Sequence, residues 1–170
     1  MIRPAVENDL PVILEIYNEA ILNTTSVYTY QAQTLEDRKL WFDKKNEDQF
    51  PILVFEDNNS IIGFATFGPF RAWPAYKYSI EHSVYVHSGY WNHGVGSALL
   101  KEVIKLAEER KFATLVAGID SSNNSSLKMH RKFGFEYSGT IQRAGFKFGK
   151  WLDLVFYQKN LIGPENPIDG

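Results

Sequence analysis

The chain contains no cysteine, which excludes disulfides, thiolate metal sites and a cysteinyl acyl intermediate together and suits a reducing compartment. It has little net charge, formally -2 from 18 basic and 20 acidic residues, and no run of Lys or Arg. Neither nucleic acid nor an anionic membrane surface is therefore an expected partner, and a small molecule is. No apolar run is long enough to cross a bilayer, and Met1-Ile2-Arg3-Pro4 opens on a strand-like segment without an apolar signal region, so the expected location is cytoplasmic. The 170 residues suffice for one well-packed core and not comfortably for two. One domain is expected over residues 1–161, followed by a loose tail over 162–170, where two prolines and two glycines fall.

Hydrophobic periodicity sets out the elements. Asp9-Leu10-Pro11 reads as a helix start with a capping acid, and Leu10, Ile13, Leu14, Tyr17 and Ile21 follow at helical spacing. Thr34 caps a second helix with acids at its positive end, Glu36 and Asp37. Residues 51–56 and 61–67 form strands joined through Asp57-Asn58-Asn59-Ser60. A strand over 78–87 alternates, with Ile80, His82 and Val84 facing one way and Glu81, Ser83 and Tyr85 the other. The clearest helix carries Leu99, Val103, Leu106 and Ala107 on its buried stripe. Residues 113–119 read as a strand buried on both faces, 126–132 as a short helix closed by Gly134, and 135–143 and 151–160 as two final strands around a loop at 145–150.

The stretch from Ser79 to Ser97 is the most informative. Strand, Gly94-Val95-Gly96 and helix follow one another, so free backbone N–H groups and the positive end of a helix dipole converge on one point, the arrangement that holds a phosphate. Glu81 lies on the strand leading in. A phosphate cradle beside a candidate general base points to group transfer from a phosphate-bearing carrier. No Lys-Ser or Lys-Thr follows the glycines, which excludes a Walker-type loop. His82, His87 and His93 make no metal site, since the strand sends His82 and His87 to opposite faces and no carboxylates join them.

Together with Asn123, His130 and Gly134-Phe135, this order of motifs resembles the GNAT superfamily of N-acetyltransferases over roughly residues 1–161. Phe70-Arg71-Ala72-Trp73-Pro74-Ala75-Tyr76, Val84-Tyr85-Val86-His87 and the run from Gly145 to Asp153 are similar to its phosphinothricin N-acetyltransferase branch. The resemblance implies an α/β (α+β) fold, with a mixed, mostly antiparallel sheet of about six to seven strands flanked by about four helices. It implies acetyl-CoA as co-substrate, no metal, a small glutamate-like amino acid as acceptor and a homodimer. Residue by residue, it places the carrier on Val84, Tyr85, Val86, Asn92, His93, Gly94, Val95, Gly96, Ser97, Asn123 and Ser126. Glu81 becomes the base and His130 the acid for the departing thiolate, and Tyr28, Arg71, Tyr76, Glu81, Ser83 and Lys147 become the acceptor's contacts. The chain departs from the pattern at Trp91 and His93, where basic residues are usual, and at Trp73, where a second base is usual.

The residue types suit the chemistry. An amino-acid ammonium must lose a proton before nitrogen attacks a thioester, and a carboxylate raised by apolar neighbours takes it. An N–H near 84–86, freed by a bulge or splay, would stabilise the oxyanion. Two other readings stand beside this one: an acetyltransferase for peptide or protein amines, against which the aromatic loop at 70–76 argues, and a non-catalytic acyl-CoA-binding module, against which Glu81 and His130 argue.

Overall fold

The computed structural model describes all residues, 1–170. Seven strands and four α-helices follow the chain in the order β1 (Ile2–Pro4), α1 (Leu10–Asn23), α2 (Leu35–Glu47), β2 (Ile52–Asp57), β3 (Ser60–Pro69), β4 (Ser79–Val86), α3 (Val95–Glu109), β5 (Thr114–Asp120), α4 (Asn124–Lys132), β6 (Glu136–Lys147) and β7 (Lys150–Asn160). The strand order in the sheet is β1-β2-β3-β4-β5-β7-β6. β4 pairs with β5 in parallel, whereas the β1–β2, β2–β3, β5–β7 and β6–β7 pairs are antiparallel, so the sheet is mixed and mostly antiparallel. The chain divides into two compact units, Met1–Phe67 with Ser83–Glu102, and Gly68–His82 with Val103–Gly170.

In the first unit, the apolar stripe of α1 meets β2 and β3 in a core of Leu10, Ile13, Ile16, Phe42, Ile52, Val54 and Phe64. Phe64 is the centre of an aromatic group, with ring centroids 6.5 Å from Tyr17, 6.2 Å from Trp41 and 5.1 Å from Tyr85. The buried Arg38 guanidinium lies over the Tyr17 and Trp41 rings at 4.1 and 4.3 Å, where the negative ring faces offset part of its desolvation. Thr34 caps α2 as its sequence predicts, accepting from the Asp37 N–H while the Asp37 carboxylate accepts from the Thr34 N–H. Asp9 differs: its carboxylate forms a two-pronged pair with Arg3 at 2.8 and 3.0 Å and accepts from the Val6 N–H. It therefore makes no side-chain cap on α1, because the charged fork outcompetes a single N–H. Asn58 and Asn59 take positive φ angles of 48° and 63°, the left-handed pair required by a tight β2–β3 turn.

In the second unit, β5 pairs with β7 without a break from Thr114–Asn160 to Asp120–Leu154. α4 ends in a Schellman motif: the Phe135 N–H reaches the His130 carbonyl, the Gly134 N–H reaches that of Arg131, and Gly134 has φ +82°. The final hairpin is longer than its sequence pattern suggests. Residues 145–147 and Lys150 continue the ladder, and Phe148 and Gly149 alone, both at positive φ, make the turn. A glycine-rich segment reads as loop from composition, and here cross-strand pairing overrides that reading. Beyond Asn160 no helix or strand forms; the Ile168 N–H donates to the Tyr78 hydroxyl.

Phe64→Ala should lower the unfolding free energy by about 3–5 kcal/mol, read from chemical denaturation, because it empties the middle of the aromatic group.

Candidate active site

Glu81 and His82 are adjacent on β4 and so point to opposite faces of the sheet. The register carries that division across the second unit. Glu81 stands opposite Val116, and Val116 opposite Gln158; Gly118 stands opposite Phe156. These residues share the Glu81 face. A cavity of about 430 Å³ opens on it, with Ser79, Thr114, Val116, Phe156 and Gln158 as floor, Phe70 and Tyr76 as one wall, and residues 138–141 of β6 as the other. No charged side chain lines it. Phe70 anchors the aromatic wall, 5.9 Å from the Tyr76 ring and 6.3 Å from that of Phe156. Outside the wall, the Arg71 guanidinium stacks on the Phe70 ring at 4.3 Å and donates to the Phe70 carbonyl.

Glu81 is half-buried. Burial pushes its carboxyl above the ordinary carboxylate range, and the charge of Arg71 pulls in the other direction without cancelling the effect. The result is a carboxylate more basic than an exposed one.

On the opposite face, His82 and His130 are 7 % and 4 % exposed, with their Nε2 atoms 2.9 Å apart. The His130 Nδ1 lies 2.7 Å from the Ser126 carbonyl oxygen. That oxygen only accepts, so His130 carries its proton on Nδ1 and offers the Nε2 lone pair to an Nε2–H of His82. Both rings are neutral: burial lowers His130, and burial with the neighbouring His130 brings His82 down to about 3. His130, cast by the resemblance as the acid for the departing thiolate, thus stands beside His82 and not beside Glu81. His130 is enclosed behind the sheet, and its one proton is committed to a carbonyl.

The other expected residues separate by place. Asn92 and Gly94 have φ +65° and +81°, and no atom lies within 4 Å of where a Gly94 side chain would begin. The first N–H groups of α3, on Val95, Gly96 and Ser97, have no intrahelical acceptor, and no acidic residue stands in that first turn. The loop is thus an open cradle of N–H donors without a lysine or arginine, and a phosphate there would be held by backbone alone. Trp91 fills the usual basic position by donating its indole N–H to the Val86 carbonyl at 2.8 Å, and the Nδ1 of the exposed His93 lies 2.9 Å from the Trp91 carbonyl. The β4–β5 ladder ends at Glu81–Val116, so Ser83, Val84, Tyr85 and Val86 are not paired with β5. The Tyr85 ring is occupied in the core, edge-on to Tyr17 at 5.3 Å. Asn123 caps α4 by accepting from the Ser126 N–H, which leaves the donor end of its amide for a ligand. Tyr28 is exposed in the segment between α1 and α2.

Lys147 does not meet Arg71 over Glu81. It pairs with Lys150 at the tip of the last hairpin, six residues along β7 from Phe156, a separation of about 20 Å at 3.3 Å per residue. Its buried ammonium lies over the Phe148 ring, 5.1 Å from the centroid. Phe156, Thr114, Val116, Gln158 and Gly118 had no local signal in the sequence, because only strand order and register bring them beside Glu81. Phe70 had one, its place in the aromatic motif at 70–76.

The sequence profile of the Acetyltransferase (GNAT) family matches residues 13–135. An L-methionine sulfoximine/L-methionine sulfone acetyltransferase of Pseudomonas paraeruginosa is 41 % identical over 161 residues, 94 % of each chain. Among solved structures, an N-acetyltransferase from Staphylococcus aureus Mu50 is 52 % identical with a TM-score of 0.94, covering 94 % of this chain and 97 % of that one. A phosphinothricin acetyltransferase from Sinorhizobium meliloti in complex with AcCoA is 33 % identical with a TM-score of 0.92, covering 95 % and 88 %.

The histidine pair generates a pH dependence of stability. His82 has a folded-state value near 3 against about 6.5 unfolded, so the unfolded chain binds its proton first as pH falls. Stability from this residue is complete above about pH 6.5 and declines toward pH 3, with a slope approaching about 1.4 kcal/mol per pH unit. Urea unfolding followed from neutral to mildly acidic pH should show a shallower slope in His82→Gln than in the parent.

Proposed function

Because this chain belongs to the GNAT acetyltransferase family, we propose that it moves the acetyl group of acetyl-CoA to the amino group of a small, glutamate-like amino acid of the methionine sulfone or sulfoximine type. The observation that carries this reading is the half-buried Glu81 carboxylate on the same sheet face as a 430 Å³ cavity whose mostly apolar, uncharged lining carries a few hydroxyl and amide groups. Acetyl-CoA supplies an activated thioester. The N–H groups from Asn92 to Ser97 hold its diphosphate, the amide donor of Asn123 meets its pantetheine arm, and the stretch of β4 beyond its last pair with β5 receives the thioester.

Glu81 takes a proton from the acceptor's ammonium, directly or through water, and leaves a nucleophilic amine. The amine attacks the thioester carbonyl within a ternary complex, and no cysteine is present to carry the acetyl group between steps. Thiolate departs without a side-chain acid, as its ordinary pKa of about 8.5 permits. A sulfone or sulfoximine end finds hydroxyl and amide groups in the cavity from Ser79, Thr114, Ser138, Thr140 and Gln158. A phosphinate brings full negative charge and finds only Arg71 at the rim, so it is the poorer acceptor. Residues 1–161 act as one catalytic domain.

A homodimer fits the surface. Ile141, Phe146, Phe148 and Trp151 on the β6–β7 hairpin are each about half-exposed, more apolar surface than one hairpin usually leaves in water. A twofold pairing would cover it. Light scattering at micromolar concentration should give twice the chain mass; a monomer mass with full activity would reject the dimer.

The reaction itself is tested by thiol release with methionine sulfone, methionine sulfoximine, phosphinothricin, a polyamine and an alanine-starting peptide as acceptors. The first two should react fastest, and Glu81→Gln should slow them by roughly 10² to 10⁴ at neutral pH, with a smaller loss as pH rises and free amine accumulates. Reaction with the peptide or polyamine alone would overturn the acceptor and leave the acetyl transfer standing.

A further inference from the structure

β5 carries one residue that its own strand does not explain. Leu115, Val116, Ala117, Ile119 and Asp120 are all buried, and Gly118 among them is exposed. Glycine inside a strand weakens it by roughly 0.5–1 kcal/mol relative to alanine, and the usual reasons for accepting that loss are absent. Gly118 has no positive φ, and the β5–β7 register runs through Gly118–Phe156 without a bulge. What is particular to it is the space above. A Cβ built there would lie 2.9 Å from Oε1 of Glu81, closer than real Cβ contacts come, yet at an ordinary 3.6 Å from Leu154 Cδ1 and from Phe156 Cε1. The carboxylate of Glu81 is thus the group that excludes a side chain at 118. Since the Glu81 backbone is level with Val116, its side chain leans two residues up β5 and rests on bare backbone beside Leu154 and Phe156.

We infer that Gly118 is a positioning residue for the reaction: its missing side chain gives the Glu81 carboxylate a place against the sheet and fixes where that carboxylate meets the acceptor's amine. This rests on the reading of Glu81 as the base. An alanine at 118 meets only the movable end of a side chain, so the fold tolerates it and Glu81 gives way, its Oε1 moving by at least about half an ångström to reach an ordinary contact distance. Displacements of that order are costly in a reaction that depends on alignment.

The test is a double-mutant cycle on the full chain with methionine sulfone and acetyl-CoA, using Gly118→Ala, Glu81→Gln and the double variant. Gly118→Ala should unfold at the same temperature as the parent or higher, keep the KM for acetyl-CoA within about twofold, and lower kcat by roughly ten- to a hundredfold. In the Glu81→Gln background the same change should lower kcat by less than about twofold, because no base remains to be misplaced. A parental kcat in Gly118→Ala beside a slow Glu81→Gln would overturn this inference alone, as would an equal loss in both backgrounds. Parental turnover in Glu81→Gln would overturn the base assignment, and the positioning role with it. A crystal structure of Gly118→Ala is the second measurement: a displaced Glu81 carboxylate supports the role, and an unmoved one refutes it.

Discussion

The pleat of β4 is the constraint on which the site depends. Successive side chains of a strand leave opposite faces, so Glu81 and His82 belong to different environments although one peptide bond joins them. Glu81 lies on the sheet face that carries the cavity and within the field of Arg71; His82 faces α4 and the Phe135 ring, 5.5 Å away. A slip of one residue in register would exchange them, placing a carboxylate in the interior and an imidazole in the cavity. Both outcomes are costly, since burial desolvates the carboxylate and the cavity face loses it. The three β4–β5 pairs, Ser79–Thr114 to Glu81–Val116, therefore fix which of the two residues shares a face with the cavity.

Charge is used sparingly around this centre. Desolvation raises Glu81, Arg71 restrains the rise from outside the aromatic wall, and the lining itself is neutral. A cation inside the cavity would hold an acidic acceptor more tightly but would also acidify the base and repel the ammonium that must approach it. The one nearby guanidinium instead stacks on Phe70 and is not part of the lining. The Gly94 loop is sparing in the same way: the Trp91 indole N–H and the His93 Nδ1 make local contacts with carbonyls, and the N–H groups at the start of α3 are left facing outward.

Much of this was legible in the sequence. The Thr34 capping box, the Asn58-Asn59 turn, the apolar stripe of α3 and the alternation of β4 are local patterns, and local physics decides them. What stayed hidden was decided by partners distant in the chain. Asp9 reads as a cap, but Arg3 takes its carboxylate. His130 reads as an acid, but His82 and the Ser126 carbonyl use both its nitrogens. The 145–150 segment reads as a loop, but β7 pairs with it. Gly118 reads as nothing at all, because its meaning lies in a carboxylate 37 residues earlier in the chain. The alternation of β4 already separated Glu81 from His82; it did not say that α4 would bring His130 to the His82 side.

Two strand glycines stand against different kinds of neighbour. A side chain at Gly63 on β3 would begin 3.0 Å from the Tyr85 carbonyl oxygen and 3.1 Å from both Val95 Cγ1 and Leu99 Cδ1. Val95 and Leu99 are buried and the carbonyl is backbone, so nothing there can yield, and glycine is required for α3 to lie against the strand. A side chain at Gly118 meets one tight neighbour, the end of a glutamate, and that neighbour can rotate away. Filling the first position strains the packing of the first unit, and the loss appears as stability. Filling the second would leave the packing as it was and displace the Glu81 carboxylate. The distinction lies in what each missing methyl would touch: buried packing and backbone at 63, the end of one carboxylate at 118.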